Sequence, residues 1–425
     1  MEERDVVTAF LRHEGEVLLL RRSEAVGSYS GRWGAVAGHV EGTPEASVRA
    51  EIREETGLDP EADVALAAAG EPFDVADEDL EIRWTVHPFL FDAARREVEP
   101  DRETDAWDWV PAPEIRRRET VPDLWRSYDR VRPTVATVAG DREHGSASLS
   151  LRALEVLRDE AALATEGAGT REDLAALARD LRAARPSMPV LANRVDRVMA
   201  AAGAEGGAAA VETAALAAIE RSVRVDRLAG ARAAERVRGA RVATLSRSGT
   251  VERALGEGDP GAVLVAESRP GGEGVGVAEA AAEAGLDVTL TGDAALAYEL
   301  AAWGAEALLV GADAVLPDGR VLNKVGTRGA AIAAAHGGID VVVAAGRDKV
   351  LPAGDPLAAD PALEPRDRAE LYEGEAALAV ENPTFDVTPP DVVDAVVTEE
   401  GTLGPEGVAE VAAAHRERAA WTGEE

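Results

Sequence analysis

The sequence predicts an α/β protein of about three structural units, and three observations carry that expectation. The chain is 425 residues long, against roughly 150 residues for an average domain. Its first third alternates apolar runs with a single helical segment, and its C-terminal part alternates short apolar runs with alanine-rich helical stretches. Between the two, leucines recur at three- and four-residue steps, the spacing of amphipathic helices. Continuously apolar strands separated by helices imply βαβ units and a parallel sheet covered on both faces.

Each element has its own local reason. Val6 to Leu11 and Glu16 to Leu20 read as a hairpin turning at His13-Glu14-Gly15. A helix is expected from Pro44 to Thr56. Thr43 can accept a bond from the first turn, Pro44 stands where an N–H has no partner, and Gly57 can take the left-handed turn that ends the helix. Ile82 to Phe91 and Asp105 to Val110 supply further strands, and the stretch Tyr128 to Pro133 reads as a linker closing a first domain over residues 1–132. Leu149, Leu154, Leu157, Leu163, Leu174, Leu177 and Leu181 mark a helical subdomain over 142–236. Ala240 to Leu245, Ala262 to Ala266, Asp287 to Thr291, Ala307 to Val310 and Asp340 to Ala345 are the expected parallel strands of a domain over 237–420.

Composition narrows the function. Lys and Arg total 45 against 79 Asp and Glu, a net charge of −34. Such a surface repels phosphate backbones and anionic lipid, which excludes broad nucleic-acid and membrane footprints. There is no cysteine, hence no disulfide, thiolate metal site or cysteine chemistry. The N-terminus lacks the basic and apolar regions of a signal peptide, and no run of about 18 apolar residues occurs, so a cytoplasmic protein is expected. Lys324 and Lys349 are the only lysines. Few lysines, small apolar residues and excess acid together resemble the proteins of salt-in haloarchaea.

Two constellations carry chemistry. On a helix, Glu51, Glu54 and Glu55 fall at i, i+3 and i+4, so three carboxylates share one face. They form either a solvated acidic face or a site for a hard cation such as Mg²⁺ or Mn²⁺. Gly31-Arg32-Trp33-Gly34, Gly38-His39-Val40-Glu41 and Glu51-x-x-Glu54-Glu55-x-Gly57-Leu58 together resemble the Nudix box and its approach strand. The resemblance implies a Nudix α/β/α sandwich, with Glu51, Glu54 and Glu55 as metal ligands and Glu54 and Glu55 as catalytic groups. It also implies Mg²⁺-dependent cleavage of a nucleoside diphosphate linked to another group. Two features depart from the pattern: Ala50 stands at the family's arginine, with Arg49 or Arg53 as substitutes, and the short loop leaves only Glu41 or Glu45 for the family's loop glutamate.

The second constellation lies where parallel strands should end: Thr244-Leu245-Ser246-Arg247-Ser248-Gly249-Thr250, Glu267-Ser268-Arg269-Pro270, Gly311-Ala312-Asp313 and Asn323-Lys324-Val325-Gly326-Thr327. Open α/β sheets bind ligands outside the carboxyl ends of their strands. Hydroxyls, helix-start amides, arginine and lysine are groups that hold phosphate. Two lysines retained in an otherwise lysine-free chain mark places that need a compact ammonium, or are chance survivors. Gly-Ala-Asp followed by Asn-Lys-x-Gly-Thr resembles the initiation factor 2B alpha/beta/delta family, which includes the methylthioribose-1-phosphate and ribose-1,5-bisphosphate isomerases. This implies a helical part, a Rossmann-like part and homodimers or higher homo-oligomers through the latter. It also implies phosphate held by Arg185, Asn323, Lys324 and Lys349, with Ser246 and Arg269 in the same crevice and Asp313 as acid/base. Ser246 replaces the isomerases' cysteine, and His144-Gly145-Ser146-Ala147 replaces their Arg-Gly-Ala loop.

The expected function is therefore Mg²⁺-dependent hydrolysis of a nucleoside diphosphate derivative, fused to a domain that binds a phosphorylated sugar or nucleotide. One alternative is aldose–ketose isomerisation of a ribose phosphate through Asp313. Another is a non-catalytic metabolite sensor or translation-factor-like subunit.

Overall fold

The computed structural model describes residues 2–78, 80–167 and 169–423. They sort into two compact units, Met1–Thr134 with Arg158–Glu166, and Val135–Leu157 with Gly167–Glu425.

The first unit is built on the strand Glu2–His13, which pairs in parallel with Ile82–Ala93 and antiparallel with Glu16–Arg22 and Val36–His39 in an eight-stranded sheet. The hairpin turns at Glu14 and Gly15, with φ of 48° and 87°, the left-handed pair that a two-residue loop between twisted strands requires. Successive side chains then divide between two faces. Val7, Ala9, Leu11, Leu18 and Leu20 meet Val48 and Ile52 of the helix Pro44–Thr56. On the other face Phe10, Val17 and Leu19 pack on Leu124, Tyr128 and Val131. The result is the α/β/α sandwich expected from sequence, and its helix is capped by Thr43 and stopped by Gly57 at φ 71°.

The stretch Tyr128 to Pro133 is not a linker. Tyr128 is buried edge-to-face on Phe10, ring centroids 5.2 Å apart, and Val131 is buried with it. Asp129 and Arg130 are exposed, while Arg132 folds back onto Asp129 and Glu160, each at 2.7 Å.

In the second unit the helices Arg171–Ala183, Pro189–Ala202 and Ala208–Val237 cluster with the parallel sheet as one compact body. The alanine-rich stretch from Ala200 to Ala218 is interrupted, because Gly203 at φ 73° ends one helix before Ala208 begins the next. The sheet runs Val288–Thr291, Ala262–Ala266, Arg241–Leu245, Ala307–Val310, Asp340–Ala344, Ala395–Thr398 and Gly401–Leu403, with only the last strand antiparallel. Chain order therefore proceeds outward one way from Arg241–Leu245 and the other way from its neighbour Ala307–Val310. That reversal opens a crevice at the carboxyl ends of these two strands. A small antiparallel sheet of Ala314–Val315, Val321–Lys324 and Phe385–Thr388 flanks it.

The helix Pro189–Ala202 grips the loop that follows Asp340–Ala344. Asn193 donates to the carbonyls of Asp348 and Val350, each at 2.8 Å. Arg194 pairs with Asp226 at 2.9 Å and Asp348 at 3.6 Å, and Arg197 also binds Asp348. Arg194 and Asp348 are 2% and 1% exposed, so removing either leaves a buried charge with one opposite partner fewer. His415 lies within this network, 2% exposed, and burial pushes its pKa from 6.5 down to about 4 against the pull of Asp348. The unfolded chain therefore takes up this proton first as pH falls, and stability is lost between pH 6.5 and 4, by roughly 3 kcal/mol in all. Thermal melts of wild type and His415→Gln should diverge over that window, the variant losing less. Parallel pH profiles would refute the assignment.

Candidate functional site

Each unit presents a site. In the first, Glu51 and Glu55 are half-buried on the helix Pro44–Thr56 and Glu54 is exposed beside them. Glu55 accepts from the Ala37 amide at 3.4 Å. Burial, then the neighbouring Glu51 carboxylate, pushes its pKa up to about 8. Glu51 is raised as well, by burial and then by Glu54, Glu103, Glu41 and Asp101. Gly38 is the cradle for Glu51: a Cβ there would stand 1.8 Å from Oε1.

Acids crowd together here with little positive charge. Arg49 turns to the Pro60 carbonyl at 2.7 Å and to Glu45 at 3.6 Å, while Arg53 reaches Asp59 at 3.4 Å. These contacts give neither arginine a role on the three glutamates. The guanidinium that acts on Glu55 is that of Arg22, which the sequence pattern did not reveal. Among the described residues no three Asp, Glu or His side chains converge on one point as a preformed metal site. The donor set nevertheless suits a hard divalent cation: carboxylate oxygens alone, two of them held in a repulsion that such an ion would relieve.

In the second unit a cleft of about 590 Å³ lies at the reversal of the parallel sheet. Ser246 follows Arg241–Leu245, and Asp313 follows Ala307–Val310, so adjacent strands deliver both. Ser246 is held at φ 61°, and its amide donates to the Ser268 hydroxyl at 2.5 Å. A non-glycine residue kept in the left-handed region by its surroundings is a common mark of a working site. The next loop comes so close that a Cβ on Gly311 would stand 2.6 Å from the Ser248 hydroxyl.

Asp313 is raised by burial, opposed by the Lys349 charge, a hydrogen bond from Ser146 and the charge of Lys324. Lys349 donates to the Ala312 carbonyl at 2.5 Å. Burial pushes its ammonium down, and the Asp313 charge opposes this. Lys324 lines the cleft on Glu273 at 2.7 Å. Arg185 lines it with its guanidinium on Glu364 at 3.1 Å.

The expected residues divide accordingly. Arg185, Ser246, Asp313 and Lys324 share the cleft wall, and Lys349 lies against the Asp313 loop. Asn323 is buried and donates to Thr327 at 3.0 Å. The helix start beyond it already holds a carboxylate, since the Gly326 and Arg328 amides donate to Asp386 at 2.8 and 3.1 Å. Arg269 is outside the wall: its guanidinium is exposed on Glu267 at 3.2 Å, and its amide is held by Asp293. Arg142, Arg247, Glu273, Glu364, Arg366 and Thr384 also line the cleft. Arg247 belongs to the motif over 244–250 already singled out in the sequence, whereas Glu364, Arg366 and Thr384 escaped it because the segment between Leu351 and Phe385 has no apolar period and only short 3₁₀ turns.

A sandwich bearing a carboxylate helix, joined to an open α/β sheet with a cleft of mixed charge at its reversal, defines a class of proteins acting on phosphorylated small molecules. Residues 2–131 match the NUDIX domain and residues 142–405 the initiation factor 2 subunit family. The chain belongs to the initiation factor 2 subunit family and carries a NUDIX domain ahead of that region. It is 35% identical over 299 residues to a ribose 1,5-bisphosphate isomerase of Haloferax volcanii, covering 66% of this chain and 92% of that protein. A methylthioribose-1-phosphate isomerase of Pseudomonas fluorescens is 38% identical over 164 residues, covering 36% of this chain and 45% of that protein. The translation initiation factor eIF-2B structure of Pyrococcus horikoshii superposes with a TM-score of 0.54 at 25% identity, covering 63% of this chain and 94% of that one. The 5-methylthioribose 1-phosphate isomerase of the same organism shares the fold, with a TM-score of 0.53 at 20% identity, over 72% of this chain and 88% of that one.

Gly38→Ala tests the carboxylate cradle. The added methyl should push the Glu51 carboxylate aside and abolish any Mg²⁺-induced rise in melting temperature, with the circular dichroism spectrum unchanged. An unaltered Mg²⁺ response would show that Glu51 needs no such cradle.

Proposed function

We propose that the NUDIX domain hydrolyses a nucleoside diphosphate derivative with Mg²⁺ or Mn²⁺, and that the second unit binds a phosphorylated sugar or nucleotide. The observation that carries the first part is the packing of Glu51 against Gly38 with Glu55 beside it on the Ala37 amide, both carboxylates raised. Glu51, Glu54 and Glu55 would hold the ion, which when bound polarises the diphosphate and neutralises developing charge. Glu54, exposed beside the pair, is free to take a proton from the attacking water. The test is hydrolysis across nucleoside diphosphate sugars, ADP-ribose and nucleoside triphosphates in molar KCl. Glu54→Gln should cost about a hundredfold or more in kcat with the fold intact; equal rates in wild type and variant would reject the reading.

A second reading is favoured by Asp313, an aspartate whose proton affinity is raised at the mouth of the sheet reversal. Such a carboxyl can shuttle a proton between adjacent sugar carbons, and the Haloferax volcanii relative is a ribose 1,5-bisphosphate isomerase. Ser246 is the weak member, since a hydroxyl is a poorer acid than a thiol. Turnover of ribose 1,5-bisphosphate by wild type, raised in Ser246→Cys and lost in Asp313→Asn, would establish isomerisation. Binding without turnover in either protein would leave a ligand-binding regulator.

A further inference from the structure

Arg185 is 5% exposed, and a guanidinium so buried needs an anion beside it. That anion is supplied by the chain. The Arg185 Nη2 donates to Glu364 Oε2 at 3.1 Å, and Nη1 donates to the Asp141 carbonyl. The buried Ser187 hydroxyl donates to the other Glu364 oxygen. Both carboxylate oxygens are therefore engaged, one of them by the guanidinium that would receive a phosphoryl group.

Glu364 does not sit there in a relaxed conformation. It has φ 46°, outside the regions that non-glycine residues prefer. Its carbonyl is clamped by the Thr384 amide at 2.9 Å and the Thr384 hydroxyl at 2.7 Å. Its carboxylate also adds to the negative field on Asp313. The side chain remains 24% exposed, within reach of an incoming ligand. The backbone on either side is also held, with the Arg366 amide on the Asn382 carbonyl at 2.9 Å and the Thr384 amide on the Leu363 carbonyl at 3.0 Å, so it is the side chain that can turn away.

We propose that Glu364 is a resident anion: it fills the Arg185 position until a phosphoryl group displaces it, and so restricts the cleft to ligands that outcompete a carboxylate. The selection follows from charge. A phosphate monoester brings close to two negative charges and three acceptor oxygens, whereas a carboxylate brings one charge and two oxygens. Acetate-like anions gain nothing by the exchange. Phosphate esters do, and the displaced Glu364 side chain turns out of the pocket. The proposal rests on the reading of this cleft as a phosphate-ester site.

Calorimetric titration of the full chain with inorganic phosphate, ribose 5-phosphate and acetate tests it, using wild type, Glu364→Gln and Arg185→Gln. Removing the resident charge should tighten phosphate and ribose 5-phosphate by about tenfold or more, because the competent state no longer has to be freed first, and should make acetate binding measurable. Ser187→Ala, which removes one hold on the carboxylate, should move affinity the same way by a smaller factor and guards against misfolding of the first variant. Affinities unchanged or weakened in both variants, with binding lost in Arg185→Gln, would overturn the resident anion and leave the phosphate site standing. Wild-type affinity in Arg185→Gln would overturn both.

Discussion

The cost of taking charge out of water is the constraint on which this structure depends. A chain of net charge −34 has carboxylates in excess everywhere, and it can bury a cation only against one of them. Arg194 and Arg197 on Asp348, Arg185 on Glu364 and Lys324 on Glu273 follow that rule. These pairs are weak evidence of net stability, since desolvation offsets most of their attraction. They do tie loop to helix, as Asp348 is tied to Arg194 and Arg197 of the helix Pro189–Ala202.

Where the rule is broken, chemistry is concentrated. Glu51 and Glu55 lie close together in partial burial, with the Ala37 amide and Arg22 easing Glu55, and both hold their protons more tightly than free carboxyls do. Asp313 is also raised, although Lys349 and Lys324 both act on it. Opposed titratable groups of this kind are characteristic of working sites. The two sites serve different ends: one is an all-oxygen nest suited to a hard cation, the other a cleft of mixed charge suited to an anionic ligand.

The second unit also shows how a fold delivers a site without sequence proximity. Ser246 and Asp313 are far apart along the chain, yet adjacent strands end at both. The reversal of strand order leaves no helix over that point. Asn193, well outside the cleft, holds the loop bearing Lys349 through two backbone carbonyls, so the position of that ammonium is set from a neighbouring helix.

Much of this was legible in the sequence alone. Period and punctuation determined the helix Pro44–Thr56 to the residue, the Glu14-Gly15 hairpin and the parallel strands, because cap, turn and alternation are local properties of the backbone. The same locality placed Glu51, Glu54 and Glu55 on one helix and Ser246 and Asp313 at the ends of parallel strands, whereas Lys324 ends an antiparallel strand of the small flanking sheet. Tertiary structure alone decided the rest. Tyr128 became core through Phe10, Arg269 stayed in solvent on Glu267, and Arg22 supplied the cation for Glu55. The Asp386 cap on the helix start and the Glu364 carboxylate on Arg185 join residues about 60 and 180 positions apart. No periodic pattern announces such pairs: a buried charge is satisfied by whichever opposite group folding brings near, and that group leaves no trace at its own place in the chain.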